Sequence, residues 1–401
     1  MYKKTLILTV LLFVLFNTYG FARVQIDSVW EMNSKAHQLY ADFCVQLTDD
    51  LNLNLGIKAF GSMSSAEEFG TEVTSLGLEY QFSPKYQVFG GTVGRNFGRA
   101  RLYSLLLSPK SPAFPMIGYQ ISGERYSYTK IYGDLTDYNG ESVNKRVGIQ
   151  YLDWLVHPRL SIGIGEALVR DSSFRGDIYY DLLPFIPYYL AKYLPGISST
   201  ADNSLVYGDF ELRLDFVTLF GELLVNEFPM GFRYNNNPPL FGLTAGAETD
   251  RLLPNWLVLV EYSHMRNYAY ANGNLYTSYV YGQQSLGHPL GDDLETLDLR
   301  LSRYWPNLQL TTSIGGFYRA LGENRELAKW YKDLEHRKET AFLTGVVERT
   351  IGTKFGAKYC ANPELAISVD FELGHVNNYQ HQLNKEGLNV RAVLNLSWQA
   401  F

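Results

Sequence analysis

Hydrophobic and polar residues alternate one by one in many short stretches of this 401-residue chain. In a clear example, Leu51, Leu53 and Leu55 alternate with Asn52 and Asn54. The same pattern returns at residues 76–82, 209–216, 297–302 and 367–373. Because successive residues of a strand point to opposite faces, this period of two predicts strands with one apolar and one polar face.

Strands of this kind occur in soluble sandwiches with one wet face and in membrane barrels. Here the polar positions often carry charges of both signs, as a network lining an enclosed interior requires, and no domain break interrupts the pattern. Tight turns are predicted at residues 48–50, 83–85, 157–159 and 362–363. We therefore predict an all-β fold, a transmembrane outer-membrane β-barrel of about 16–18 antiparallel strands of roughly 10 residues each.

The first 22 residues have the parts of an export signal. Lys3 and Lys4 provide a basic start, residues 5–16 form an apolar core, and small residues precede position 23. The apolar core has about 12 residues, too few to span a bilayer, and an uncleaved anchor is the alternative. The prediction is a signal peptide at 1–22 and a single barrel domain at 23–401.

The C-terminal stretch 388–401 has the pattern of a final barrel strand. Val390 and Leu394 share its apolar face, the alternation slips near residue 399, and the chain ends on Phe401. A terminal aromatic residue on an amphipathic last strand resembles the signal that the barrel assembly machinery reads. We therefore expect that machinery and outer-membrane lipid as partners, and the outer membrane of a Gram-negative bacterium as the location.

Composition and charge narrow the choice of protein class. Aromatic residues make up 15% of the chain, and after residue 22 there is no apolar run of 18 residues, so no spanning helix is predicted. Aromatic girdles on half-polar strands explain both facts. The net charge of −6 becomes −8 without the leader, because the leader contains two lysines and no acidic residue. This balance excludes a general nucleic-acid binder.

Two cysteines, Cys44 and Cys360, belong to a chain that is predicted to be exported, so a disulfide is conceivable. Cys360 falls two strands before the end by the alternation, whereas a closed barrel brings the first strand beside the last one. The favoured interpretation is two separate thiols, with a disulfide as the alternative. Their spacing matches no zinc or redox motif.

Two segments do not have the pattern of strands. Residues 321–339, with Trp330 and Tyr331 on one face, predict a short amphipathic helix, and residues 180–198 are apolar, rich in tyrosine and interrupted by prolines. Either could pack over a barrel mouth or form a peripheral loop. The polar loop at about 376–387 would be extracellular if the last strand ends in the periplasm.

No local motif indicates catalysis. None of the seven histidines lies in HExxH or in a Cys/His cluster, and neither a GxSxG motif nor a P-loop is present. We therefore expect no enzyme, no cofactor and no metal site. The alternative is a barrel enzyme whose catalytic residues come from separate strands, because such residues have no characteristic spacing in the sequence.

Four carboxylates lie in or beside apolar surroundings. They are Glu166, Glu222, Glu261 and Asp292. An ionised group in such surroundings needs a partner, and Arg213 and Arg300 are candidates. These groups are predicted to lie in the lumen, where they either brace the wall or contact a ligand directly.

Five stretches with distinctive residues follow one another along the chain. They are HPRLSIGIGEALV at 157–169, DNSLVYGDF at 202–210, which begins with Asp202, LFGELLVNEF at 219–228, LVEYSHMRNYAYAN at 259–272 and LGHPLGDDLETLDLRL at 286–301. In order and spacing they resemble the capsule assembly Wzi family of outer-membrane proteins. The resemblance implies a barrel of about 18 strands with helices at the periplasmic end, and a lectin-like role without catalysis or transport through the lumen.

The expected function is therefore a non-enzymatic outer-membrane protein that binds capsular or other surface polysaccharide and helps anchor or assemble the capsule. Aromatic faces stack on sugars, and Tyr379, His381, Trp330 and Tyr331 are the candidate contacts. The alternative is a porin-like or substrate-specific channel, because a barrel of this size has a lumen wide enough for water unless it is plugged.

Overall fold

Eighteen long strands form the wall of the molecule in the computed structural model. The structure describes residues 22–31, 36–62, 69–138, 141–142, 145–171, 187–188, 202–226, 240–271, 277–282, 284–323, 343–362 and 365–399. The strands are β1 Ala22–Glu31, β2 Ala36–Thr48, β3 Leu51–Ser62, β4 Phe69–Ser83, β5 Tyr86–Val93, β6 Phe114–Ser122, β7 Tyr126–Asp134, β8 Lys145–His157, β9 Leu160–Asp171, β10 Asp202–Arg213, β11 Thr218–Asn226, β12 Leu240–Leu253, β13 Trp256–Met265, β14 Leu294–Trp305, β15 Leu310–Leu321, β16 Glu348–Cys360, β17 Leu365–Asn377 and β18 Glu386–Gln399.

The sheet closes on itself. Each strand pairs antiparallel with the next, and β1 pairs with both β2 and β18. Closure removes the two free edges that an open sheet would expose, which is the condition for strands in hydrocarbon. The predicted all-β barrel is confirmed, and its strand number lies at the upper limit of the prediction.

Alternation along the strands separates an apolar outside from a charged inside. Leu223 on β11 pairs with Leu243 on β12, and both are exposed on the outer face. The neighbouring pair, Glu222 and Thr244, is buried on the inner face. The outer face is therefore the one suited to lipid, and the inner face encloses a polar lumen.

One rim of the outer face is a belt of aromatic side chains. Its exposed members are Phe82, Tyr86, Tyr126, Trp154, Phe216, Tyr304 and Tyr359. All lie in or within a few residues of the short turns that connect the strands at that end. Aromatic belts of this kind mark the level of the lipid headgroups.

The two ends of the barrel differ in the length of their connections. At the first end, called the turn end here, the connections are brief, such as 49–50, 158–159 and 254–255. At the opposite end, called the loop end, they include 94–113 and 266–293. In outer-membrane barrels the short turns are periplasmic and the longer loops extracellular.

The predicted helix at 321–339 and the proline-interrupted segment 180–198 fall mainly in loop-end connections. Residues 324–342, which include Trp330 and Tyr331, lie outside the described residues, and Leu321 ends β15. Of 180–198, only Pro187 and Tyr188 are described. Both connections join strands at the loop end, and the predicted helix at 321–339 lies almost entirely outside the described residues. Within the described residues, no helix is long and apolar enough to span a membrane.

The cysteines lie apart in the wall. Cys44 is on β2 and Cys360 on β16, two strands before the end, and these strands are not neighbours. The two cysteines do not form a disulfide. The interpretation as two separate thiols is confirmed, because the hydrogen-bonding order of the sheet keeps the two strands apart.

A positive charge on the outer face tests the orientation of the wall. We expect Leu223→Arg to destabilise the protein by about 2–4 kcal/mol, because an arginine near the middle of the lipid-facing wall loses its hydration. The measurement is the free energy of unfolding in lipid vesicles. Leu308→Arg, at an exposed position of the turn end, is the matched control and should change stability little. Equal effects of the two substitutions would contradict the assigned outer face.

Candidate functional site: a loop fastened inside the barrel

The connection between β5 and β6, residues 94–113, folds into the lumen. Arg95 pairs with Glu79 on β4 at 2.8 Å, and Arg99 pairs with Asp209 on β10 at 3.2 Å. A second contact of Arg99 is the carboxylate of Asp153 on β8. One loop can reach inward-facing groups on such different strands only from inside the barrel. Residues 94–113 are called the lumenal loop below.

Glu222 on β11 holds the middle of the lumenal loop through its main chain. Its carboxylate accepts hydrogen bonds from the backbone N–H of Ala100 at 2.6 Å and of Leu105 at 2.8 Å. Gly98 faces the same carboxylate with a φ of +129°, and a Cβ atom there would collide with Glu222 Oε1 and Ser104 Oγ. The approach of chain to carboxylate therefore requires glycine at position 98.

Glu261 on β13 fastens the next three residues. Its oxygens accept from the backbone N–H groups of Arg101 at 2.7 Å, Leu102 at 3.1 Å and Tyr103 at 3.1 Å. The guanidinium of Arg101 continues to Glu211 on β10 at 2.9 Å. Two carboxyl groups of the wall thus accept hydrogen bonds from the main-chain amides of the loop, each of which contributes about 1 kcal/mol to stability.

The sequence-based choice of partners for these carboxylates is wrong. Arg213 pairs with Glu211 at 2.6 Å, and Arg300 lines a cavity elsewhere in the lumen. Backbone N–H groups replace the expected arginines because the lumenal loop enters the barrel at the level of Glu222 and Glu261. A main-chain donor has no sequence motif, so side-chain identities alone could not predict this interaction.

A second connection, residues 266–293, packs against the lumenal loop. The hydroxyls of Tyr270 and Tyr279 donate to the carbonyl oxygens of Leu105 at 2.8 Å and Leu106 at 2.7 Å. Both tyrosines are fully buried, and burial raises the pKa of each phenol far above its usual range. Asp292 is buried in the same connection, where it accepts from the backbone N–H of Tyr270 at 3.4 Å.

An apolar core forms where these two connections meet the wall. Leu105, Leu106 and Leu107 are fully buried, and they share one hydrophobic cluster with wall residues such as Ile149 and Leu205. The interior next to β5–β13 is therefore packed by side chains at this level. The charged contacts of the lumenal loop surround a core that resembles the interior of a soluble domain.

Glu166 lies on the outer face, and its expected place in the lumen is wrong. On the sheet it lies beside Gln150 of β8, which lies beside Lys130 of β7. These three residues form one row. Ile164, two residues before Glu166 on the same strand, is exposed on the outer face, so the row faces outward as well. Glu166 accepts from Gln150 Nε2 at 2.9 Å and from the backbone N–H of Tyr188 at 2.6 Å. Asp202 shares this face, because it pairs with Arg170 at the loop end of β9.

This outer polar row is covered by a connection of the chain itself. Lys130 is 1% exposed, and its ammonium lies 4.8 Å from the ring centroid of Tyr188, which is also 1% exposed. The row sits four residues along β8 from the belt residue Trp154, a height of about 10 Å on a tilted strand. Tyr188 of connection 172–201 therefore lies against the outer wall at lipid depth.

Tyr379 and His381 lie in the last loop-end connection, residues 378–385. The imidazole Nδ1 of His381 lies 2.8 Å from the carbonyl oxygen of Val346, so this loop contacts the connection between β15 and β16. That same connection contains Trp330 and Tyr331. Tyr379 and His381 are thus at the loop end, whereas Trp330 and Tyr331 lie outside the described residues.

A cavity of about 320 Å³ lies between the lumenal loop and strands β14–β18. Leu102, Tyr103 and Lys110 line it from the loop. Burial, with the nearby cations Lys354 and Arg391, lowers the pKa of Lys110 to about 8. Among the residues that the structure describes, no three acidic, histidine or cysteine side chains form a group that could hold a metal ion.

These features define the class of the molecule: an 18-stranded barrel of the outer-membrane type, with an inward-folded loop. No family model matches the sequence, and no curated protein matches it either.

Solved structures share the fold. One neighbour is Wzi of Escherichia coli, described as an outer membrane protein involved in group 1 capsule assembly and a carbohydrate-binding β-barrel; its TM-score is 0.67 at 13% identity, over 99% of this chain and 88% of Wzi. OprD of Pseudomonas aeruginosa follows with a TM-score of 0.53 at 10% identity, over 95% of both chains. OccD3 of the same organism has a TM-score of 0.53 at 9% identity, over 95% of this chain and 91% of its own. At these identities the likeness is one of fold.

Replacement of the two fastening carboxyl groups should release the lumenal loop. In the double variant Glu222→Gln and Glu261→Gln, each amide group replaces an acceptor oxygen with a donor that faces the loop's N–H groups, so we expect tryptic cleavage after Arg99 and Arg101 to accelerate at least tenfold. That factor corresponds to about 1.4 kcal/mol, about the contribution of one or two hydrogen bonds. Glu124→Gln, in an exposed turn, is the control. Unchanged cleavage in the double variant would show that other contacts hold the loop.

The covered row on the outer face gives a separate prediction. Glu166→Ala leaves the amide of Gln150 and the N–H of Tyr188 without their acceptor, so we expect a stability loss of about 2 kcal/mol. The measurement is thermal unfolding in detergent, with Asp215→Ala at an 80% exposed turn side chain as control. If both variants unfold at the same temperature, the carboxylate does not hold the covering segment.

Proposed function

We propose that this protein is a non-enzymatic outer-membrane protein that binds capsular or other surface polysaccharide and helps to anchor or assemble it at the cell surface. Residues 1–22 serve as the export signal, residues 23–401 form the single barrel domain, and the barrel assembly machinery of a Gram-negative bacterium inserts it. The loop end then faces the outside, where a surface polymer is in reach.

The observation that supports this role is the packed interior next to β5–β13. The lumenal loop and connection 266–293 fill that part of the lumen with a hydrophobic cluster, and Glu222 and Glu261 fasten it. A barrel that is filled in this way is better suited to binding at its mouth than to free passage. The likeness to Wzi, a carbohydrate-binding barrel by its description, points to the same role.

The loop-end aromatic residues are the proposed contacts. Tyr379 and His381 occupy a short 3-10 turn, and the contact of His381 with Val346 joins their loop to the one that contains Trp330 and Tyr331. Aromatic faces offer sugars a surface at small entropic cost, since their side chains have few rotatable bonds.

Purified protein and surface polysaccharide from the source strain provide the direct test. We expect Tyr379→Ala to weaken binding about tenfold, the equivalent of ~1.4 kcal/mol, as for a central aromatic contact. Phe216→Ala, which removes an aromatic side chain at the turn end, is the control. In cells, deletion of the gene should release capsule into the medium, and full retention on the deleted strain would overturn the proposed role.

A substrate-specific channel is the second candidate, and the cavity beside the lumenal loop favours it, because that side of the interior is not filled by the hydrophobic cluster. Conductance in a planar bilayer separates the two candidates. The polysaccharide role predicts a wild-type protein without stable open channels and openings in the double variant Glu222→Gln and Glu261→Gln. Stable wild-type channels would favour transport.

A further inference from the structure

The cavity beside the lumenal loop has an electrostatic character opposite to that of the whole chain. Five basic side chains line it: Lys110, Arg300, Arg319, Lys354 and Arg391. Three acidic side chains line it as well: Asp298, Asp370 and Glu372. The lining therefore has two positive charges in excess, although the chain has a net charge of −6. A cluster of this sign in a cleft attracts anions from solution.

Two of the acidic groups are already engaged by wall residues. The guanidinium of Arg319 binds the carboxylate of Glu372 in a bidentate pair, at 2.7 and 3.1 Å. The ammonium of Lys354 contacts the carboxylate of Asp298. These pairs connect β15 to β17 and β16 to β14, so they brace the wall and hold its polar groups in fixed positions.

Lys110 provides positive charge from the opposite side. Its ammonium lies 4.7 Å from the ring centroid of Tyr103, and no described carboxylate comes within 4.0 Å of it. The same holds for the guanidinium of Arg300 among the described residues. A cation on the lumenal loop thus faces cations on the wall across the cavity, and a negatively charged group placed between them would relieve their mutual repulsion.

We propose that this cavity binds the carboxylate of a single acidic sugar unit, a hexuronate, between Lys110 and the basic side chains of the wall. The inference rests on the proposed polysaccharide role and specifies the chemistry of its ligand. The volume of about 320 Å³ is at the lower end of the range for ligand pockets, which suits one sugar ring. Asp370 and the carboxylates of the wall pairs offer acceptors for sugar hydroxyls.

The test uses the full purified protein in detergent with D-glucuronate as the probe. Binding is measured by calorimetry or by saturation-transfer NMR, and the uncharged methyl ester of glucuronic acid is the matched ligand. We expect the acid to bind at least tenfold more tightly than the ester, and this preference to shrink as salt is added, because salt screens charges that remain in contact with solvent. Equal binding of acid and ester would overturn the proposal.

Variants locate the bound carboxylate. Lys110→Gln should weaken glucuronate binding about tenfold, while Lys85→Gln, at an exposed turn-end position, should leave it unchanged. Arg300→Gln is the second variant, so that the result does not depend on one loop residue. Each variant is first checked for the heat-dependent gel shift of a folded barrel. Wild-type affinity in both cavity variants would place the anion elsewhere and refute the site.

Failure of this inference and failure of the polysaccharide role give different results. If glucuronate binds in the cavity and the gene deletion leaves capsule attachment unchanged, the site stands and the cellular role falls. If the capsule detaches in the deleted strain and glucuronate does not bind in the cavity, the polysaccharide role is supported and the assignment of the cavity is wrong.

Discussion

The requirement that buried backbone N–H groups find an acceptor governs both the wall and the interior of this protein. In the wall, the strands satisfy one another only because β1 pairs with β18 as well as with β2, so the sheet has no free edge. Inside, a loop without a strand partner faces the same requirement. Glu222 and Glu261 meet it with carboxylate oxygens, so two acidic side chains do for an irregular segment what a neighbouring strand does for a regular one.

Much of the wall could be predicted because its signal is local. The alternation within residues 51–55 predicts the apolar and the polar face of that strand without reference to any other strand. The turns at 49–50 and 158–159 also occur where short polar connections were predicted. The partners of Glu222 and Glu261 could not be predicted, since a main-chain donor has no side-chain identity. The prediction for Glu166 was wrong for another reason. The alternation rule assigns polar residues to the lumenal face, whereas the carboxylate of Glu166 lies on the lipid-facing side, where Tyr188 covers it.

The interior is divided by these interactions into two unlike halves. Beside β5–β13 the lumen is packed with leucine and tyrosine side chains, and beside β14–β18 it is lined by paired charges around an open volume. The lumenal loop forms the boundary, with Leu105 directed into one half and Lys110 into the other. A single connection of the chain thus closes one part of the barrel and completes the lining of the other.

The way in which the lumenal loop is fastened has an evolutionary consequence. Because the two wall carboxylates recognise peptide N–H groups, which every residue except proline provides, the path of the loop depends little on which side chains occupy positions 100–103. Gly98 is the exception, since its close approach admits no Cβ atom. Substitutions in this loop can therefore alter the shape and charge of the interior while the scaffold stays in place, so barrels of this design can diversify their contents without redesigning their walls.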